Sequence, residues 1–174
     1  MVKLNNIKYF FFLLLFLFSW TFGTFGDEIN YNDAKIKMQI PSDWTMQYED
    51  NGQIAIGPNG DIVIIFMLMK SEATSDAIIE LKDHINSFIM DVKETTTIEA
   101  LTLNGMAGYA YDATGVLNKT RPIDIGAMIL STINDKIVMV LALAISETYE
   151  KYEESFLSII DSISPVSVDV LKEK

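Results

Sequence analysis

An α+β fold, a single antiparallel sheet of about six strands with helices packed on its faces, is predicted by three features of this 174-residue chain. Short runs of alternating apolar and polar residues are punctuated by Asn-Gly turns, two longer segments carry a helical period, and two strand candidates are apolar at every position. The expected order of elements is βββ(β)αββββα.

The first segment stands apart from that domain. Lys3 and Lys8 precede the apolar run from Tyr9 to Trp20, and small or turn-prone residues at Gly23, Thr24 and Gly26 close it. This is the anatomy of an export signal, with cleavage expected before Asp27. Residues 1–26 are then a signal peptide, 27–165 the α+β domain and 166–174 a short C-terminal tail. The alternative is an uncleaved membrane anchor, because Ile7 to Phe25 reaches about the length of a membrane helix. Ser19, Thr21, Gly23 and Thr24 thin the hydrophobicity where an anchor needs it, which favours a cleaved product. That product is expected in the periplasm or outside the cell, with no stable membrane insertion.

The first strand expected is Lys35–Ile40, where Ile36, Met38 and Ile40 share one face before Pro41 stops the run. Thr45–Glu49, Gln53–Ile56 and Ile62–Met69 follow, separated by Asn51-Gly52 and Pro58-Asn59-Gly60, whose residues readily take the positive φ that tight turns need. A helix is expected from about Thr74 to Met90, since Ala77, Ile78, Leu81, Ile85, Phe88 and Ile89 fall on one side of the helical wheel. Thr97–Leu103 and Met106–Thr114 flank Asn104-Gly105, and Asp124–Ile133 and Ile137–Ile145 flank Asn134-Asp135-Lys136. A last helix, capped by Ser146, buries Tyr152, Phe156, Ile159, Ile160 and Ile163 and ends at Pro165. Because Ile62–Met69 and Ile137–Ile145 do not alternate, both are expected to be covered on both faces. The tail ending at Lys174 is expected to fray, with Val168, Val170 and Leu171 available for docking.

Composition narrows the chemistry. The chain has no cysteine, which removes disulfides, thiol catalysis, zinc–thiolate sites and lipid attachment at the cleavage site. Its net charge is −11; without Lys3 and Lys8, 11 basic against 24 acidic residues leave −13. Such a surface repels nucleic acid and anionic lipid, so no nucleic-acid partner is expected. The single histidine, His84, excludes any site that needs two and reads as a residue at the margin of the first helix's apolar face. No Gly-x-Ser-x-Gly nucleophile turn, dinucleotide fingerprint or phosphate loop occurs.

Carboxylates remain. Glu49, Asp50, Asn59, Asp61 and Asp112 are candidates to gather round calcium, although no Asp-x-Asp-x-Asp loop organises them. Asn118-Lys119-Thr120 has the form of a glycosylation acceptor. Tyr109 and Tyr111 lie two apart on one strand face, and if they face outward they make a rigid amphipathic patch suited to a protein or glycan. They are the candidate partner-binding residues; no catalytic, cofactor or metal residue is assigned.

The run Ile36-Lys-Met-Gln-Ile-Pro-Ser-Asp-Trp44, the hairpin ending Ile-Gly-Pro-Asn-Gly60 and the apolar strand after it resemble the opening of PsbP-like domains. That α/β sandwich family also includes the Ran-binding Mog proteins and many exported bacterial proteins. The turn Leu103-Asn-Gly105-Met-Ala-Gly108 and the closing Ile159-Ile160-Asp161-Ser162-Ile163 extend the resemblance over nearly the whole mature chain. It implies a non-catalytic binding or accessory protein with a protein partner and no cofactor. The family's markers here, Pro41 and Trp44, are structural, so no functional residue is carried over. The alternatives are an enzyme using carboxylates or a divalent metal, and a membrane-tethered structural protein that keeps its N-terminal segment.

Overall fold

A computed structural model describes residues 26–50 and 52–166. The signal peptide expected at 1–26 and the tail expected at 166–174 therefore lie outside the described residues, apart from Gly26 and Val166. No helix among the described residues is long and apolar enough to cross a membrane.

The elements are β1 (Asp27–Tyr31), β2 (Ile36–Ile40), β3 (Thr45–Glu49), β4 (Gly52–Ile56), β5 (Ile62–Leu68), α1 (Thr74–Phe88), β6 (Ile89–Glu94), β7 (Glu99–Leu103), β8 (Met106–Leu117), β9 (Arg121–Ser131), β10 (Ile137–Ile145), α2 (Tyr149–Ser162) and the two-residue β11 (Ser164–Pro165). The fold is α+β, with antiparallel pairing throughout. The single sheet of about six strands is corrected to two sheets: β1–β2–β11, and an eight-stranded sheet in the order β3–β4–β5–β10–β9–β8–β6, with β7 also on β8.

Physical reasons account for the difference. β1 reads Asp-Glu-Ile-Asn-Tyr, mostly exposed, so only Ile29 and Tyr31 carry an apolar signal. β2 then pairs with β1, and the Pro41 turn, closed by Trp44 N–H donating to the Pro41 carbonyl, carries the chain across to the second sheet. The first helix stops at Phe88 because Ile89 takes an extended conformation (φ −106°, ψ 132°). From there β6 pairs with β8, although Ile89 continues the helix's apolar side. Thr148, not Ser146, holds the N-cap position of α2, and its hydroxyl donates to the Ile145 carbonyl.

The Asn104-Gly105 turn forms as its residue types require, with φ of 47° and 85°. Asn104 also acts at long range. Its side-chain N–H₂ donates to the carbonyls of Asp161 and Ile163, which ties the β7–β8 hairpin to the end of α2.

Two cores flank the large sheet. On one face Phe66, Val138, Val140 and Leu130 pack with Ile36, Met38, Phe156 and Ile159 from the small sheet and α2. On the other, Met139, Leu141, Ile125 and Ile129 pack with Ala77, Leu81 and Ile85 of α1. Strand β10 is thus covered on both faces, as its composition requires, except at Leu143 and Ile145, which are half-buried. Strand β5 is not: Ile62, Ile64 and Phe66 are buried, whereas Val63, Ile65 and Met67 are only half-buried.

The unequal cover is measurable by truncation. Leu141→Ala removes a side chain closed in on every side and should destabilise by about 3 kcal/mol, while Ile65→Ala should cost about 1 kcal/mol or less. Urea unfolding of the two variants gives the comparison, and equal losses would mean that Ile65 is as enclosed as Leu141.

Candidate interaction surface

The half-covered face of β5 belongs to a larger surface that the register defines. Ile54 lies opposite Ile65 and Ile56 opposite Val63, while β10 sets Leu141 beside Ile65 and Leu143 beside Val63. Ile54, Ile56, Val63, Ile65, Met67 and Leu143 are all half-buried on one face of three adjacent strands. Geometry explains the gap. A helix covers a strip about 10 Å wide, whereas a row of seven strands is about 30 Å across. α1 packs over β6, β9 and β10; Ile65, Met67 and Leu143 lie at the margin of that core, and Ile54, Ile56 and Val63 lie outside it.

Electrostatics mark the same flank. No lysine or arginine occurs between Met38 and Met69, and this stretch includes Asp43, Glu49 and Asp50, whereas its Asp61 is held by Tyr152 of α2, beside Lys151. Glu49 extends β3 on the face that carries Ile54 and Ile65, since β3 and β4 pair Gln47 with Ile54 and Glu49 with Gly52. An apolar surface on strands that carry acidic residues and neither lysine nor arginine is suited to a partner whose apolar contact residues are flanked by lysine or arginine.

The two candidate tyrosines separate. Tyr109 is 37% exposed, but Tyr111 is 3% exposed under α1, with the Lys82 ammonium 5.5 Å from its ring. They do not make an exposed pair, because the face they share is the one that α1 covers over Tyr111. His84 is half-buried and meets Phe88 edge-on at 5.5 Å. Asn118, Lys119 and Thr120 form an exposed turn.

The carboxylates considered for calcium do not assemble. Asp61 accepts a hydrogen bond from the Tyr152 hydroxyl at 3.3 Å, whereas Asp112 is held on β8, its backbone N–H donating to Thr96 Oγ1 at 2.7 Å. Among the described residues no three Asp, Glu or His side chains are grouped to hold a metal ion. A hollow of about 200 Å³, lined by residues that include Glu28, Lys37, Gln39 and Ser162, is smaller than the pockets that enclose drug-sized molecules.

A different acidic group was hidden from the sequence. Asp112 on β8, Asp124 on β9 and Glu99 on β7 share a sheet face, as register sets Asp112 opposite Gly126, Thr114 opposite Asp124 and Glu99 opposite Ala110. Burial, then the charges of Asp124 and Glu99, push the Asp112 carboxyl up to about 6. Burial, followed by the charges of Glu153, Asp112 and Asp124, raises the Tyr149 phenol above its ordinary range. Nothing in the chain's spacing announces this, because the residues come from separate strands and meet only once the hairpins close.

A carboxyl whose pKa is raised on folding binds more protons in the folded state, so its contribution falls as pH rises from about 4 through 6. Asp112→Asn should therefore stabilise the protein at pH 7 by on the order of 1 kcal/mol, allowing for partial solvent screening, and have little effect below pH 4. Thermal melting between pH 4 and 8 tests the sign; a stabilisation that is equal at both ends would remove ionisation as its cause.

No protein family and no curated protein matches the sequence. Solved structures do share its fold. The Ran-binding protein Mog1p of Saccharomyces cerevisiae superposes with a TM-score of 0.56 at 10% identity, over 83% of this chain and 97% of that one. PsbP (CyanoP) of Synechocystis gives 0.58 at 9% identity, over 83% and 94%. LpqN of Mycobacterium tuberculosis, described as involved in cell envelope biogenesis, gives 0.56 at 14% identity, over 79% and 88%. The chain has the PsbP/Mog1 fold.

Proposed function

We propose that this protein is an exported, non-catalytic binding or accessory module that holds a protein partner on the open flank of its large sheet. The observation that carries the reading is the continuous half-buried surface of Ile54, Ile56, Val63, Ile65, Met67 and Leu143. Apolar surface of this kind, bordered by polar residues, is characteristic of interaction sites. One structure with the same fold is that of a Ran-binding protein, which is consistent with a scaffold that presents surface rather than chemistry. Export rests on the N-terminal segment, whose cationic start, apolar middle and small-residue end have the form of a signal peptide.

The test is affinity purification of the C-terminally tagged full chain from its own host, in parallel with Ile65→Glu and with Ile79→Glu on the exposed face of α1. A companion retained by the wild type and Ile79→Glu but lost with Ile65→Glu, at a temperature where melting curves show all three folded, is the expected result. A companion that stays with Ile65→Glu would place the contact elsewhere. Mass spectrometry of the bait's N-terminus reads the export half: a start at Asp27 is expected, and a start at Met1 would favour the anchored form.

A further inference from the structure

The open flank ends in a strand edge. Among the described residues β3 pairs only with β4, over a regular register from Thr45–Ile56 to Glu49–Gly52. Natural proteins blunt such edges with proline, lysine or a bulge, because unpaired backbone N–H and C=O groups template another strand. The sequence of β3, Thr-Met-Gln-Tyr-Glu, carries none of these, and Tyr48 is 64% exposed.

Two buried polar groups beside β3 lack a partner among the described residues. Gln53, 7% exposed on β4 directly opposite Tyr48, has a buried side-chain oxygen with no partner, although its amide N–H₂ donates to the Asn30 carbonyl. Trp44, the residue before β3, has a buried indole N–H with none either. Both atoms are enclosed, on or behind the strand that β3 already pairs with, so an incoming strand would meet the backbone of β3 and not these groups.

We propose that β3 is the acceptor edge for an extended, lysine- or arginine-bearing segment of the partner protein, which adds as a further strand. This deepens the preceding reading by naming how the partner engages the flank, and it rests on that reading. Strand addition supplies main-chain hydrogen bonds for affinity and alternate side-chain positions for specificity. Asp43 precedes β3, Glu49 ends it and Asp50 follows it, all exposed, so cationic residues at either end of the incoming segment would meet carboxylates. The same charges disfavour a second copy. Antiparallel self-pairing centred on Met46 would set Asp43 of one chain opposite Glu49 of the other, and like charges across a strand pair repel.

The probe is a synthetic peptide, Lys-Thr-Val-Thr-Val-Thr-Lys, compared with the same peptide N-methylated at alternate residues and with one carrying Glu in place of both Lys. Amide hydrogen exchange of 45–49 should slow about tenfold or more with the first peptide and not with the other two. Glu49→Lys, an exposed change that should not disturb folding, should weaken binding about fivefold. Binding of the N-methylated peptide as tight as the parent would reduce the effect to charge attraction and overturn the proposal. So would protection confined to another strand, no binding of the parent peptide, or a dimer in sedimentation with 45–49 already protected. A host companion lost with Ile65→Glu but kept with Glu49→Lys and the peptide null would retain the binding flank and remove strand addition.

Discussion

The need to bury both faces of β10 (Ile137–Ile145) dictates the rest of the architecture. Nine consecutive residues without a polar side chain cannot form a sheet with one wet face, since whichever parity points outward exposes a row of branched aliphatics. The chain meets this with α1 over Met139 and Leu141, and with α2 and the small sheet over Val138 and Val140. Placing β10 between β5 and β9 then fixes which strands lie under cover and which lie at the margin. Neither the position of the helices nor the sheet order is independent of that one strand.

The two covers differ in width, and the difference decides what remains for function. On one face, two full strands and a fourteen-residue helix form a layer comparable with the sheet beneath it. On the other, α1 is the only helix among the described residues. It lies over the centre, leaving β4 and β5 with apolar residues that the sequence committed to burial and the fold only half encloses. Adding a second helix there would close the core more completely. Among the described residues none lies there, and β4 and β5 keep a half-covered apolar surface on strands without lysine or arginine.

Much of the fold was legible because its signals are local. The Asn104-Gly105 hairpin, the helical stripe of Ala77, Leu81 and Ile85 and the extent of β10 each follow from neighbouring residues, and each stands in the structure as expected. What was illegible is non-local or weakly patterned. β1 has too few apolar residues to announce itself, β11 is two residues long, and the division into two sheets depends on where the Pro41 turn sends the chain. Tyr109 and Tyr111 show the limit for sites: their shared parity was correct, but parity cannot say that α1 lies over one of them. The carboxylate group around Asp112 is likewise a product of strand pairing, invisible until β7, β8 and β9 are laid side by side.

Identities of 9–14% to structures of the same fold have a physical meaning here. A core tolerates wholesale exchange among aliphatic residues if volume and parity are kept, so the constraint that builds this sandwich places little demand on which residues are used. Function cannot then be inherited from the fold. It must lie where the packing requirement lapses, at positions whose side chains the core does not dictate. In this chain those positions are the half-covered aliphatics of β4 and β5 and the open edge of β3. A purely structural margin would be expected to carry proline or lysine there. This one carries tyrosine and glutamate with neither proline nor lysine, a pattern that makes sense if the sheet is completed by a strand from another chain.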